Sequence, residues 1–460
     1  MNGKHEFLTA GPIPKVIGTM AVPTIISMMV TSFYNIADTY FVSRINTQAT
    51  AAVGIVFTVM TVFQAVGFFF GHGSGNYMAI SLGATKTREA EKMAVTGFLY
   101  ALAVSVLIAA SGLVFLHPLC MSLGCTPTIL PYAEEYMGPI LFGAPFLVGS
   151  LVMNVQLRQQ GSASYALVGM MSGAVLNIFL DPLLIFGFGM GIRGAGIATL
   201  VSQIVSMAIL VFMTTKGENV RLKLKNASLD PKYIAGIFTG GTPSLTRQIL
   251  NSVATLLLNV SAAVYGDSAI AAMTIVTRIT FLVNSAVIGF GQGYQPMCGF
   301  CFGAGKYTRL IRGYWFCVAV GTVFLSVTAI VGSIFRDEII AVFRDDAEVI
   351  RIGGEALGWQ LLSYPLGAVI MLSNMAMQAI RRPVQASLLA AAQRGLFFVP
   401  LLLILPKFIG LQGVEISQPV ADVCSFAVAL PVILHTFRSL KREERRAEAL
   451  LKPEAEAEYL

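Results

Sequence analysis

AAVGIVFTVMTVFQAVGFFFGHGSGNYMAISLGATK, residues 51–86, and AAMTIVTRITFLVNSAVIGFGQGYQPMCGFCFGAGK, residues 271–306, are two copies of one pattern. At an offset of 220, Ala51-Ala52 meet Ala271-Ala272, and Ile55-Val56 meet Ile275-Val276. Gly71 and Gly73 meet Gly291 and Gly293, Gly83-Ala84 meet Gly303-Ala304, and Lys86 meets Lys306. Working outward, Pro23 meets Pro243 and Ser32 meets Ser252; later a shift of 223 pairs Arg158 with Arg381 and Ala163-Ser164 with Ala386-Ser387. Prolines, glycines and a lysine matching at one offset point to an internal repeat.

Each copy is also long and apolar without strand-like alternation, and the rest of the chain follows suit. Of 460 residues 55% are hydrophobic and 12% charged, with a mean hydropathy of +0.73. Soluble domains carry about 25% charged residues, so this chain has too few to wet a large globule. In hydrocarbon every backbone N–H and C=O is bonded internally, which makes such runs helices. Twelve spans are expected: 17–42, 50–76, 92–116, 136–157, 164–187, 194–214, 234–264, 269–301, 312–335, 355–379, 386–406 and 413–436. The fold class is an all-α polytopic membrane protein. Its expected parts are an N-terminal lobe (1–215), a connector (216–233), a C-terminal lobe (234–437) and a charged tail (438–460).

Basic residues set the orientation. With the N-terminus inside, only Arg44, Arg193, Arg336, Arg344, Arg351 and Lys407 of the 31 Lys and Arg face outward, and Arg247 and Arg278 stay within spans. The remainder, Arg394 among them, are assigned to the cytoplasmic side, as are both termini. The net charge of +7 then reflects topology and anionic lipid rather than nucleic acid. No cleavable signal is read before the first span. Six cysteines include a C-x-x-C at Cys298 and Cys301, read as small packing residues, and an outward Cys120/Cys125 pair left without an assigned bond.

Six spans per half make this a parallel repeat, an architecture that places substrate between lobes. Polar residues at membrane depth are costly and are functional candidates. Asn177 and Asp181, four apart, share a helix face; with Asp38 and Thr199 they supply two carboxylates, an amide and a hydroxyl for a hard cation or a proton. The register partners of the acids are Leu258 and Ile404, so the acids belong to the first half alone. Tyr34, Asn35, Asn154, Met170, Gln203 and Arg247 are candidates for a substrate cavity. Met28, Met29, Met153, Met171, Met371, Met375 and Met377 fall in spans that could border it, since flexible thioethers suit varied apolar ligands. Arg278 and Asp422 are expected to pair, because each otherwise stands as an uncompensated charge. His72, between two glycines, is read as packing.

Asn35-Ile-Ala-Asp38, Leu176-Asn177-Ile-Phe-Leu-Asp181-Pro182 and Gly194-Ala-Gly196-Ile-Ala-Thr199 together resemble signatures of the multidrug and toxic compound extrusion (MATE) transporters. Gly289-Phe-Gly291-Gln292-Gly293-Tyr294-Gln295-Pro296, then Gly303-Ala304-Gly305-Lys306, is similar to the eighth helix of the bacterial MepA-like branch. The likeness runs from about residue 12 to 437. It implies a V-shaped, two-lobed antiporter in the bacterial inner membrane. Such a protein exports cationic or amphipathic drugs for protons or sodium, as a monomer among lipids, with no other cofactor and no enzymatic activity. The ion residues carried over are Asp38, Asn177, Asp181 and Thr199, and Pro23 is associated with bending of the first helix. Positions 242–264 and 358–378 hold no acid, so the second-lobe ion site of another branch is not carried over. A lipid-linked saccharide flippase of the same superfamily and a metabolite importer are the alternatives.

Overall fold

The computed structural model describes residues 2–457, apart from the side chains at 2, 32, 35, 36, 448 and 450–457; Asn35, a cavity candidate, thus lies outside the described side chains. Sixteen α-helices and no strand are found among the described residues. The first half contains α1 (Asn2–Ala10), α2 (Ile13–Ser43), α3 (Thr47–Gly83), α4 (Thr87–Val114), α5 (Leu116–Ser122), α6 (Leu130–Gln159), α7 (Ala163–Pro182) and α8 (Gly191–Met213). The second contains α9 (Pro231–Ala263), α10 (Asp267–Gly303), α11 (Tyr307–Ile334), α12 (Arg336–Phe343), α13 (Ala347–Ala379), α14 (Pro383–Ala391), α15 (Phe398–Ile409) and α16 (Leu411–Ala457). Two single π-turns, Leu183–Gly187 and Ala392–Leu396, follow α7 and separate α14 from α15.

Among the described residues eleven spans are long and apolar enough to cross a membrane. The twelfth, α9, has the length at 33 residues, but Thr239, Thr242, Ser244, Thr246, Arg247, Gln248, Asn251, Ser252 and Thr255 make it more polar. Its hydroxyls are satisfied in place: Thr239 and Thr242 donate back to the carbonyls of Ala235 and Phe238, each at 2.7 Å. The result is twelve membrane-crossing helices in two six-helix halves.

The repeat is written into the backbone. α3 and α10 both have 37 residues, α4 and α11 both 28, and each pair starts 220 apart. Lys86 and Lys306 share φ −86° and ψ 62°. Left-handed residues, which L side chains rarely adopt, fall at Thr85 and Gly305 and again at Gly161 and Arg381. Asn154 donates to the Ala166 carbonyl (3.3 Å) and Asn374 to that of Ala386 (2.6 Å). The 220 register therefore continues here, and the expected change to 223 is not followed. Ala-Ser pairs recur too often in an apolar chain to fix a register. The partner of Asp181 becomes Leu401 rather than Ile404.

The chain divides into two compact units, Met1–His5 with Gly18–Leu245, and Glu6–Ile17 with Thr246–Leu460. In the first, α6 is central, and its Tyr136, Met137, Leu141, Val148 and Met153 are all but fully buried against α3, α4 and α8. The second has its core around α13, with Ile352, Leu357, Leu361 and Ala368 packed on α10, α11 and α16. Dispersion and close fit hold these helices together, because lipid offers apolar surface no hydrophobic penalty. One assignment changes: Arg394 lies mid-span between Pro383 and Ile409, not on the cytoplasmic side. It lies in the π-turn, and its guanidinium finds a polar partner at that depth in Gln418, at 2.7 Å.

Candidate functional site

Glycine lets the acid-bearing helices approach. A Cβ on Gly194 would lie 2.8 Å from the Leu184 carbonyl carbon, and one on Gly196 would lie 3.1 Å from the Tyr136 carbonyl oxygen. A Cβ on Gly173 would meet the Ser206 Cβ at 2.8 Å. The Gly194-Ala-Gly196 motif is thus what brings the start of α8 against α7 and α6, and with it Thr199.

Within the first unit Asp38, Asn177, Asp181 and Thr199 are all buried. Asn177 Nδ2 is shared between Asp181 Oδ1 (3.3 Å) and Thr199 Oγ1 (3.4 Å). Asp38 Oδ2 accepts from the Tyr136 hydroxyl at 3.3 Å. Three buried oxygens have no hydrogen-bond partner among the described residues: Asp38 Oδ1, Asp181 Oδ2 and Asn177 Oδ1. Orphaned buried acceptors are expensive. Two of the three are carboxylate oxygens, and Asn177 and Asp181 are joined by a hydrogen bond; such acceptors are ones that a proton or a small cation would satisfy.

Tyr136 was not legible as part of this cluster. A tyrosine in an apolar helix carries no cost signal of the kind an aspartate does. Gln203 is near the same helices, its Oε1 buried without a partner and 2.6 Å from where a Cβ on Gly143 would be. Met170 packs against the core of the unit. Asn154 accepts from Arg158 at 3.2 Å while bonding Ala166, so it braces the α6–α7 turn. Arg247 does the same to Asn374, at 3.2 Å, in the second unit. Pro23 sits inside a continuous α2. His72 Nδ1 lies between the Phe68 carbonyl (3.1 Å) and Ser244 Oγ (3.0 Å), a packing arrangement. Cys120, Cys125, Cys298 and Cys301 are all buried free thiols.

The Arg278–Asp422 pair does not form. Arg278 is exposed, while Asp422 accepts from four neutral donors: Gln418 (2.9 Å) and Gln393 (3.2 Å) on Oδ1, Ser363 (2.9 Å) and Gln360 (3.2 Å) on Oδ2. A carboxylate so solvated by amides and a hydroxyl needs no direct cation.

Comparison with known proteins bears on the fold and the family. The chain is 26% identical over 409 residues to a multidrug export protein MepA of Staphylococcus haemolyticus, covering 88% of this chain and 90% of that one. It is 26% identical over 436 residues to a FAD transporter of Shewanella oneidensis, covering 92% and 94%. A MATE crystal structure in the bent conformation superposes with a TM-score of 0.91 at 25% identity, covering 96% and 99%. The MatE family model matches twice, over residues 23–183 and 243–403, the same 220-residue spacing that the helices keep. Two matches on two structurally equivalent halves leave one conclusion: the chain belongs to the MatE family of membrane transporters.

Proposed function

We propose that this transporter is a secondary multidrug efflux antiporter, exporting cationic or amphipathic compounds in exchange for protons or sodium by alternating access. The observation that carries this reading is the trio of unpartnered buried oxygens on Asp38, Asp181 and Asn177. Filling them with a cation or proton removes a desolvation cost, and emptying them restores it, which is the differential energy that drives a population shift. Coupling then resides in the N-terminal unit, with Thr199 and Tyr136 holding the amide and one carboxylate in place. The protein acts as a monomer in the bacterial inner membrane, among lipids, with both termini cytoplasmic.

The test uses purified protein in liposomes with an imposed pH or sodium gradient and ethidium as cargo. Asp38→Asn and Asp181→Asn keep shape and remove charge. Each is expected to abolish gradient-driven export while leaving expression and ethidium binding largely intact. Leu258→Asn and Leu401→Asn, at the register partners, are expected to be far milder. Normal pumping by both acid variants would remove the assignment.

A further inference from the structure

The second unit has the opposite polarity to the first at membrane depth. Arg247, Arg278 and Arg394 all lie within its spanning helices. The Tyr265 hydroxyl donates to the Pro406 carbonyl at 3.3 Å, so the ends of α9 and α15 and the start of α10 lie on one side. At 1.5 Å per residue the three arginines are about 16 to 25 Å along their helices from that end. Among the described residues of this unit the one acid at comparable depth is Asp422, and its carboxylate oxygens accept from Gln360, Ser363, Gln393 and Gln418. Glu415 is only a turn from the start of α16, where Arg351 and Glu355 act on it.

Among the described residues Arg394 makes no direct ion pair, although Asp422 acts on its charge from beyond an intervening amide. Its Nη1 donates to Gln418 Oε1 at 2.7 Å, and Gln418 Nε2 in turn donates to Asp422. The amide thus stands between cation and anion. It fixes the guanidinium plane from one edge, and the remaining N–H groups have no partner among the described residues. Arg394 and Arg247 are half-buried and Arg278 is exposed. Fixed, partly desolvated guanidinium groups of this kind suit the fork geometry of a carboxylate or phosphate.

We propose that the second unit binds the oxyanion of an amphipathic substrate, a carboxylate or phosphate on an apolar body, with Arg394 as its direct contact. Asp422 and Gln418 position that guanidinium, and Arg278 and Arg247 supply additional positive field. The inference rests on the export reading above and adds, within its amphipathic substrates, compounds carrying an acidic group.

Riboflavin and riboflavin 5′-phosphate differ by one phosphate, and their fluorescence reports binding to the purified full chain in detergent. The phosphate is expected to bind about tenfold more tightly, as one charge-assisted contact supplies. Arg394→Gln retains a donor for Gln418 and should remove that advantage while leaving riboflavin unchanged; Arg394→Lys should keep part of it. Inorganic phosphate at the same concentration should not displace the flavin phosphate. Equal affinities in the wild type, an equal loss of both ligands in Arg394→Gln, or displacement by inorganic phosphate would each overturn the proposal. Ethidium export measured in parallel separates the two readings. If it is intact while the flavins bind equally, only the oxyanion site falls; if it is absent, the efflux reading falls.

Discussion

Tyr136 on α6 donates its hydroxyl to Asp38 Oδ2 on α2 across 3.3 Å, and both residues are buried. The bond ties the central helix of the first unit to the helix that carries one of its two acids. It occupies one carboxylate oxygen and leaves Oδ1 as the open acceptor.

Tyr136→Phe removes that donor and keeps the ring. A hydrogen bond to a charged group contributes about 1.5–3 kcal/mol, so gradient-driven ethidium export should fall by about tenfold or more with expression unchanged. An export rate equal to wild type would show that Asp38 is positioned without Tyr136.

Close approach at the α7–α8 corner makes Gly194 and Gly54 opposites. In Gly194→Ala the new Cβ meets the Leu184 backbone at 2.8 Å, and backbone cannot give way cheaply, so the cost is about 1–3 kcal/mol. Gly54→Ala, inside α3 with nothing within 4 Å, should gain up to about 1 kcal/mol from helix propensity. Thermal unfolding in detergent should move down for the first and up for the second. A stable Gly194→Ala would mean that the corner is looser than drawn.

Lys4, on α1 outside the spans, donates to Ser162 Oγ at 2.6 Å and Asn219 Oδ1 at 2.7 Å. Burial lowers its ammonium from 10.5 to about 8, against the opposing pull of Glu218. Between these two values the unfolded chain holds a proton that the folded chain has released. Stability therefore gains a rising contribution as pH goes from 8 to 10.5. Lys4→Met should lack this rise, so melting curves of the two proteins should converge or cross over that window. Parallel profiles across it would be evidence against a half-buried Lys4 with a lowered pKa.

Orientation can be read with an impermeant maleimide on single cysteines in a background without native ones. Thr128 and Lys225 are both exposed. The distribution of basic residues puts the first outside and the second inside, so only the Thr128 cysteine should label in intact cells. Labelling of both would overturn the topology.

Much of this is legible in the sequence. Proline and glycine restrict or free the backbone in ways few residues share, so Pro23/Pro243 and the paired glycines marked the repeat. Asp38 and Asp181 were conspicuous because a carboxylate in hydrocarbon is costly wherever its side chain points. Arg394 was misplaced although the expected span 386–406 already contained it, because a count of basic residues by side gives such a charge no place within the membrane. The Arg278–Asp422 pair failed for a related reason: neutral amides can solvate a carboxylate as well as a cation can balance it, and nothing in the spacing says which.

Composition, hydrophobic run length and the 220-residue repeat thus determined the membrane, the helices and their number, since these follow from solvent and backbone bonding that each segment meets by itself. The tertiary structure decided which polar groups meet: Tyr136 on Asp38, Asn177 between Asp181 and Thr199, Gln418 between Arg394 and Asp422. Those partners come from separate helices, and their distances depend on how closely glycines such as Gly194 and Gly196 let the backbones approach, to within a few tenths of an ångström that hydropathy does not encode.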